Sequence, residues 1–229
     1  MIFVITCEHG GNKIPKEYQY LFKDELSILQ THKAYDPGAL ELAKAISKKT
    51  DYFFFSEVSR LLIELNRSIN SPDVFSCYSK NLDENQKEKI FNKYYLPFRN
   101  KVENSLGELV RKGEKSVHIS VHTFTPVLNN KIRNADIGIL YDPKRTNEKD
   151  FAVSFKNELL SYDKKLKIRF NYPYLGISDG FTSYLRKKLS QRNYTGIELE
   201  INQKFVLKND AKWKILKQNL VRTMDSISK

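Results

Sequence analysis

Seven runs of strand length punctuate the chain: "IFVITC" (2–7), "YFFFSEV" (52–58), "LLIELN" (61–66), "VHISVHTF" (117–124), "DIGILY" (136–141), "KIRFNYP" (167–173) and "GIELEIN" (196–202). They are rich in β-branched, aliphatic and aromatic residues, which favours extended structure. Helical patterns lie between several of them. "PGALELAKAISKKT" (37–50) places Pro37 at a helix entrance and repeats apolar residues at Leu40, Leu42, Ala43 and Ile46. Residues 83–113 read as one long helix kinked near Pro97 and stopped at Gly113. Shorter amphipathic helices are expected over 146–163 and 183–193, and a last one over 210–229, where Trp213, Leu216, Leu220 and Met224 recur at helical intervals. Strands alternating with helices predict an α/β protein whose sheet is covered on both faces. No linker, repeat or abrupt change of composition breaks the pattern, so residues 1–229 are expected to form a single domain.

Composition narrows the class. Apolar residues make up 40%, an ordinary share for a buried core, and 13 Tyr and 14 Phe are spread through the chain. No stretch approaches the roughly 20 apolar residues of a membrane span. The opening "MIFVITC" is short and lacks a basic leader, so it reads as the first strand rather than a signal peptide. Two cysteines, Cys7 and Cys77, are too few for a disulfide framework, and the expectation is a cytoplasmic protein with reduced thiols. Lys and Arg number 39 against 27 Asp and Glu, a net charge of +12. The cations are scattered over different helices and loops and no nucleic-acid-binding motif accompanies them, which disfavours a nucleic-acid partner. A basic surface would still attract small anionic substrates.

In open α/β sheets, ligands gather beyond the carboxyl ends of the strands. Glu8 and His9 follow the first strand, and His9 precedes Gly10-Gly11, where backbone can approach a ligand. Asn66-Arg67 follows "LLIEL" as an amide and a fork suited to a carboxylate, and Arg60 could add a second cation. His118 and His122 face the same side of one strand, but roughly 13 Å apart, too far to share an ion on a straight strand. Glu198 and Glu200 share a face by period two, either as solvated acids of an edge strand or as a carboxylate inside a cleft. Asp36, before Pro37, reads as a helix cap by position and is also free to bind metal. Cys7 has no clear partner for thiol chemistry. Motifs of nucleophile elbows, dinucleotide sites, phosphate loops and structural zinc are absent from the sequence.

Taken in order, "CEHGGNKIP", "YDPGALELA", "SRLLIELNRS", "HISVHTFTPVLNN", "RNADIGILYDPKR", "NYPYLGISDGFTSYLRK" and "YTGIELEINQ" resemble the N-formylglutamate amidohydrolase family, over about residues 3 to 205. That family in turn resembles zinc carboxypeptidases and aspartoacylase-like deacylases. The resemblance implies a three-layer α/β/α fold of zinc-exopeptidase type, with a mixed, mostly parallel sheet of about eight strands. It implies one Zn²⁺ held by His9, His122 and an acidic ligand. The relatives' His-x-x-Glu reads here His9-Gly10-Gly11-Asn12, so that ligand must come from elsewhere: Asp36, with Glu8 as the alternative. It further implies Glu200 as the catalytic carboxylate, Asn66 and Arg67 on the substrate carboxylate, and Arg60 or Arg133 reaching a second acidic group. Tyr172 or Tyr174, Tyr174 foremost, would sit on the oxyanion or substrate. The implied activity is hydrolysis of the amide of N-formylglutamate or a related N-acylated acidic amino acid. The alternative is a catalytically silent relative that binds an anionic ligand or nucleic acid through its basic surface.

Overall fold

The computed structural model describes residues 1–50, 52–207 and 211–228. In chain order the strands are β1 (Ile2–Cys7), β2 (Tyr52–Phe55), β3 (Ser116–Phe124), β4 (Val127–Leu128), β5 (Lys131–Ile132), β6 (Ile137–Leu140), β7 (Ile168–Phe170) and β8 (Tyr194–Asn202). The helices are α1 (Ala39–Ile46), α2 (Glu84–Ile90), α3 (Leu96–Arg111), α4 (Thr146–Tyr162), α5 (Phe181–Lys188), α6 (Lys204–Leu207) and α7 (Ala211–Ile227). The expected ends of the last helix at Asp210 and Lys229 lie outside the described residues.

Six strands form the central sheet in the order β2-β1-β3-β8-β6-β7, and β4 and β5 form a hairpin of their own. Four of the five neighbouring pairs are parallel, and only β6 runs antiparallel to β8. This is the mixed, mostly parallel sheet, covered on both faces. One face buries Phe3, Ile5 and Cys7 of β1, alternate residues of β3 and β8, and Ile137 and Ile139 of β6 under α1, α4 and α7. The other carries Val4 and Tyr194 under α3 and α5. Period-two alternation explains the division: Val117, Ile119 and Val121 point to the first face, so His118, Ser120 and His122 point to the second.

Two expectations change. The central sheet holds six strands rather than about eight, because β4 and β5 pair only with each other. The run 61–66 is not a strand but a chain of tight turns, in which Leu62 N and Ile63 N donate to Ser59 O and Glu64 N donates to Val74 O. Its four aliphatics are all buried in a separate cluster with Tyr18, Phe22, Val74, Ile90 and Tyr95. A short apolar run buried from every side looks the same whether or not it is extended. The long helix runs on from α2 to α3 through a wide five-residue helical turn, Phe91–Tyr95, just before Pro97, where the sequence expects a kink. Proline supplies no N–H and crowds the preceding carbonyls, which accounts for the widened turn.

Candidate metal centre and cleft

β1, β3 and β8 run parallel, so their carboxyl ends open on one crevice. The register places His122 beside Glu200 and Ser120 beside Glu198 on adjacent strands. β1 ends at Cys7, and the chain turns His9 towards His122, with ring centroids 4.9 Å apart. Gly10 and Gly11 permit that turn, because a Cβ on either would come within 2.7 Å of the Ser56 or Glu57 carbonyl. Gly138 of β6 pairs with Glu200, and a Cβ there would overlap the Tyr172 carbonyl. The segment after Tyr172 can therefore cross β6 and wall the crevice with Tyr174, Leu175, Ser178 and Asp179.

Asp36 does not cap α1 with its side chain. Only its backbone carbonyl serves there, accepting from Ala39 N, while its carboxylate turns into the crevice. Asp36 Oδ2 lies 3.3 Å from His9 Nδ1, 3.0 Å from His122 Nδ1 and 3.4 Å from the Thr123 backbone nitrogen. One donor atom from each of His9, Asp36 and His122 lies within 4.8 Å of the other two, and all three residues are buried. Behind the rings stand further polar groups. His9 Nε2 meets Glu64 in a short hydrogen bond, and His122 Nε2 lies 2.8 Å from Ser120 Oγ, which in turn donates to Glu8 Oε2 at 2.7 Å. The arrangement thus leaves the two Nδ1 atoms and Asp36 facing one another, with both Nε2 atoms held from behind. Imidazoles that ligate metals are oriented in this manner.

The donor set fits a divalent cation on electrostatic grounds as well. Glu8, Asp36, Glu64 and Glu200 are all buried here. Besides the two histidines, Arg60 is the cation ion-paired with this group among the described residues, through Asp36 and Glu64. Burial alone would raise Asp36 and Glu64. Charge and hydrogen bonding from His9, His122 and Arg60 outweigh it, so both stay well below the usual carboxylate range. For His122, burial lowers the pKa, but the hydrogen bond and charge of Asp36, together with Glu8 and Glu200, push it up to about 10. Glu200 behaves oppositely. Burial pushes it up to about 7, with Asp36 and Glu198 adding against the pull of His122, and its Oε2 has no hydrogen-bond partner.

The other expected residues fall at different depths. Glu8 is buried behind His122, with Oε1 unpartnered, rather than beside Asp36. Asn66 lines the cleft, but its Oδ1 accepts from Phe181 N at 2.7 Å and its Nδ2 lies 3.5 Å from His122 Nε2, so the amide is already engaged. Arg67 lines the cleft and donates from Nη1 to the Asn66 and Asp179 carbonyls. Arg60 faces Asp36 and Glu64, and Arg133 stands behind Tyr174, donating to its hydroxyl at 3.3 Å. Asn12 turns away and donates to Leu29 O. His118 packs deeper in the sheet between Thr6 and Tyr194, where burial pulls it down to about 4. Glu64 is a site residue that the motifs of the sequence do not single out. A lone carboxylate inside "LLIEL" is its signal, masked because the apolar run has the pattern of a strand.

A family model described as N-formylglutamate amidohydrolase matches residues 1–207. No curated protein matches the chain. Among solved structures, the chain is similar to the gene product Atu2144 from Agrobacterium tumefaciens, at 25% identity and a TM-score of 0.77, covering 99% of this chain and 92% of that one. It is also similar in fold to an N-formylglutamate amidohydrolase from Ralstonia eutropha JMP134, at 14% identity and a TM-score of 0.70, again covering 99% and 92%.

Proposed function

The chain belongs to the N-formylglutamate amidohydrolase family, and from that membership and the buried centre we propose that it hydrolyses the C–N amide bond of a small N-acyl amino acid with His9, Asp36 and His122 as metal ligands. The observation that carries the proposal is the convergence of those three donors beside Glu200 in a cleft of about 230 Å³. Such a volume suits an amino-acid-sized ligand rather than a polymer. The convergence also favours an enzyme over the binding-only alternative.

His9, Asp36 and His122 would hold a Zn²⁺ ion, which would supply Lewis-acid polarisation of an acyl oxygen and lower the pKa of a water towards about 7. The chain's own residues supply the rest. Glu64 and the Ser120–Glu8 pair hold the two imidazoles with Nδ1 towards Asp36. Glu200, buried with a free oxygen, accepts the proton of the attacking water and returns it to the amine nitrogen as the C–N bond breaks. Arg67 binds the substrate carboxylate through the edge of its guanidinium not used by the Asn66 and Asp179 carbonyls. Asn66 anchors the start of α5 and the back of His122, shaping the wall. Tyr174, steadied by Arg133, closes the mouth over the acyl group.

Among the described residues no helix is long and apolar enough to cross a membrane. With both cysteines free, Cys7 buried and Cys77 exposed, the setting proposed for the enzyme is the cytoplasm.

The test is metal analysis and amide hydrolysis for the wild type, His122→Ala and Glu200→Gln, with N-formyl amino acids as substrates. The wild type should bind about one zinc per chain and hydrolyse the amide, His122→Ala should lose the metal, and Glu200→Gln should keep the metal and lose turnover. Variants as active as the wild type, or a wild type that binds no metal, would sink the proposal.

A further inference from the structure

The turn that presents Arg67 to the cleft is gripped from behind by a residue that does not itself line the cleft. Arg99, on α3, is 4% exposed and forms no ion pair among the described residues. Glu8 and Asp179 act on it through space. A guanidinium taken this far out of water is costly unless acceptors meet its N–H groups. Here Nη1 donates to Leu65 O at 2.9 Å and to Arg67 O at 3.1 Å, so one nitrogen bridges the carbonyls on either side of Asn66. Tyr95 Oη donates to the same Arg67 carbonyl at 2.7 Å. The rings of Phe181, Tyr184 and Tyr95 lie 4.1, 4.8 and 5.0 Å from the guanidinium and add cation–π contact. Phe181 also donates its N–H to Asn66 Oδ1. On the cleft side, the Asp179 carboxylate accepts from Ser68 N and Oγ, and its carbonyl accepts from Arg67.

We infer that Arg99 is a positioning residue for the substrate clamp: by bridging Leu65 O and Arg67 O it fixes the turn from which Arg67 meets the substrate carboxylate. The inference rests on the role given to Arg67 above and deepens it. Two carbonyls flanking one residue, with an aromatic ring beneath, call for a planar donor, which a lysine ammonium does not reproduce. Fixing the backbone of Arg67 beforehand spares part of the ordering cost when the carboxylate binds.

The test is a double-mutant cycle on the zinc-loaded protein with N-formylglutamate as substrate, using Arg67→Ala, Arg99→Met and the two together. Arg99→Met should raise KM about 10-fold or more and leave kcat within about 2-fold, with zinc content unchanged. In the Arg67→Ala background the same change should move KM little, because the clamp it serves is gone. Arg99→Lys should recover only part of the loss. Should Arg99→Met fail to fold, Arg99→Lys taken through the same cycle decides the matter. Tyr95→Phe, which removes one hydrogen bond to the turn, should raise KM about 3–10-fold. An Arg99 effect of equal size with and without Arg67, or one confined to kcat, overturns the inference and leaves the clamp in place. An unchanged KM in Arg67→Ala overturns the clamp and the inference together. If the wild type hydrolyses nothing, calorimetric Kd for N-formylglutamate replaces KM in the same cycle. Coupling in that case supports the inference and removes the hydrolase reading, whereas absence of binding overturns both.

Discussion

Replacing Glu200 by glutamine is expected to slow turnover sharply and, in the metal-free protein, to raise stability. The side chain is only 5% exposed and one of its oxygens is unpartnered. Burial lifts the carboxyl from 4.5 to about 7, with Asp36 and Glu198 adding to the rise and His122 opposing it. The sign follows from proton linkage. Below about pH 4.5 the group is protonated in the folded and unfolded chain alike, so it affects stability little. Between 4.5 and about 7 the unfolded chain releases the proton while the folded chain keeps it, and stability falls as pH rises. Above that range the loss is complete and of order 3 kcal/mol. Glutamine keeps the shape and removes the ionisation. A chain of this size shifts its Tm by about 2–4 °C per kcal/mol, so the chelated variant should melt several degrees above the chelated wild type at pH 8 and show no such gain at pH 4. Thermal unfolding followed by circular dichroism across that range reads the difference. Zinc-loaded turnover of an N-formyl amino acid should fall by about 10²–10⁴-fold, the usual share of a general base. A Tm difference independent of pH, or a variant that hydrolyses like the wild type, would refute the reasoning.

Three further outcomes follow from the same geometry. Glu64→Gln keeps an acceptor for Asn66 N but loses the charge facing His9 and Arg60, and should weaken zinc binding about 10–100-fold in chelator competition. Arg67→Ala should raise KM for N-formyl amino acids much more than it lowers kcat, because the carboxylate clamp acts before and during reaction alike; a pure kcat effect would remove Arg67 from the substrate. His118 is pulled from 6.5 down to about 4 by burial, so its neutral form stabilises the fold fully above about pH 6.5 and that contribution is lost as pH falls towards 4. His118→Gln should therefore flatten the fall of apo stability between those values in denaturant titrations.

What could be read in the sequence was whatever depends on local periodicity. The alternation in "VHISVHTF" and "GIELEIN" assigned β3 and β8 and put His122 and Glu200 on faces opposite their aliphatic neighbours. The resemblance supplied which strand ends belong together, and with them His9, Asp36 and Arg67. Only the tertiary structure decided the rest, for two physical reasons. Burial on all sides erases periodicity, so "LLIEL" looked extended while it is folded into turns that carry Glu64 to His9. Charge neutralisation is a property of distant pairs: Arg60 is separated in sequence from Asp36 yet bound to it, whereas Arg67 lines the cleft with no ion pair among the described residues. The types of residue at the centre were written along the chain, whereas their protonation, pairing and availability to a substrate follow from how parallel strands and buried turns bring them within a few ångströms of each other.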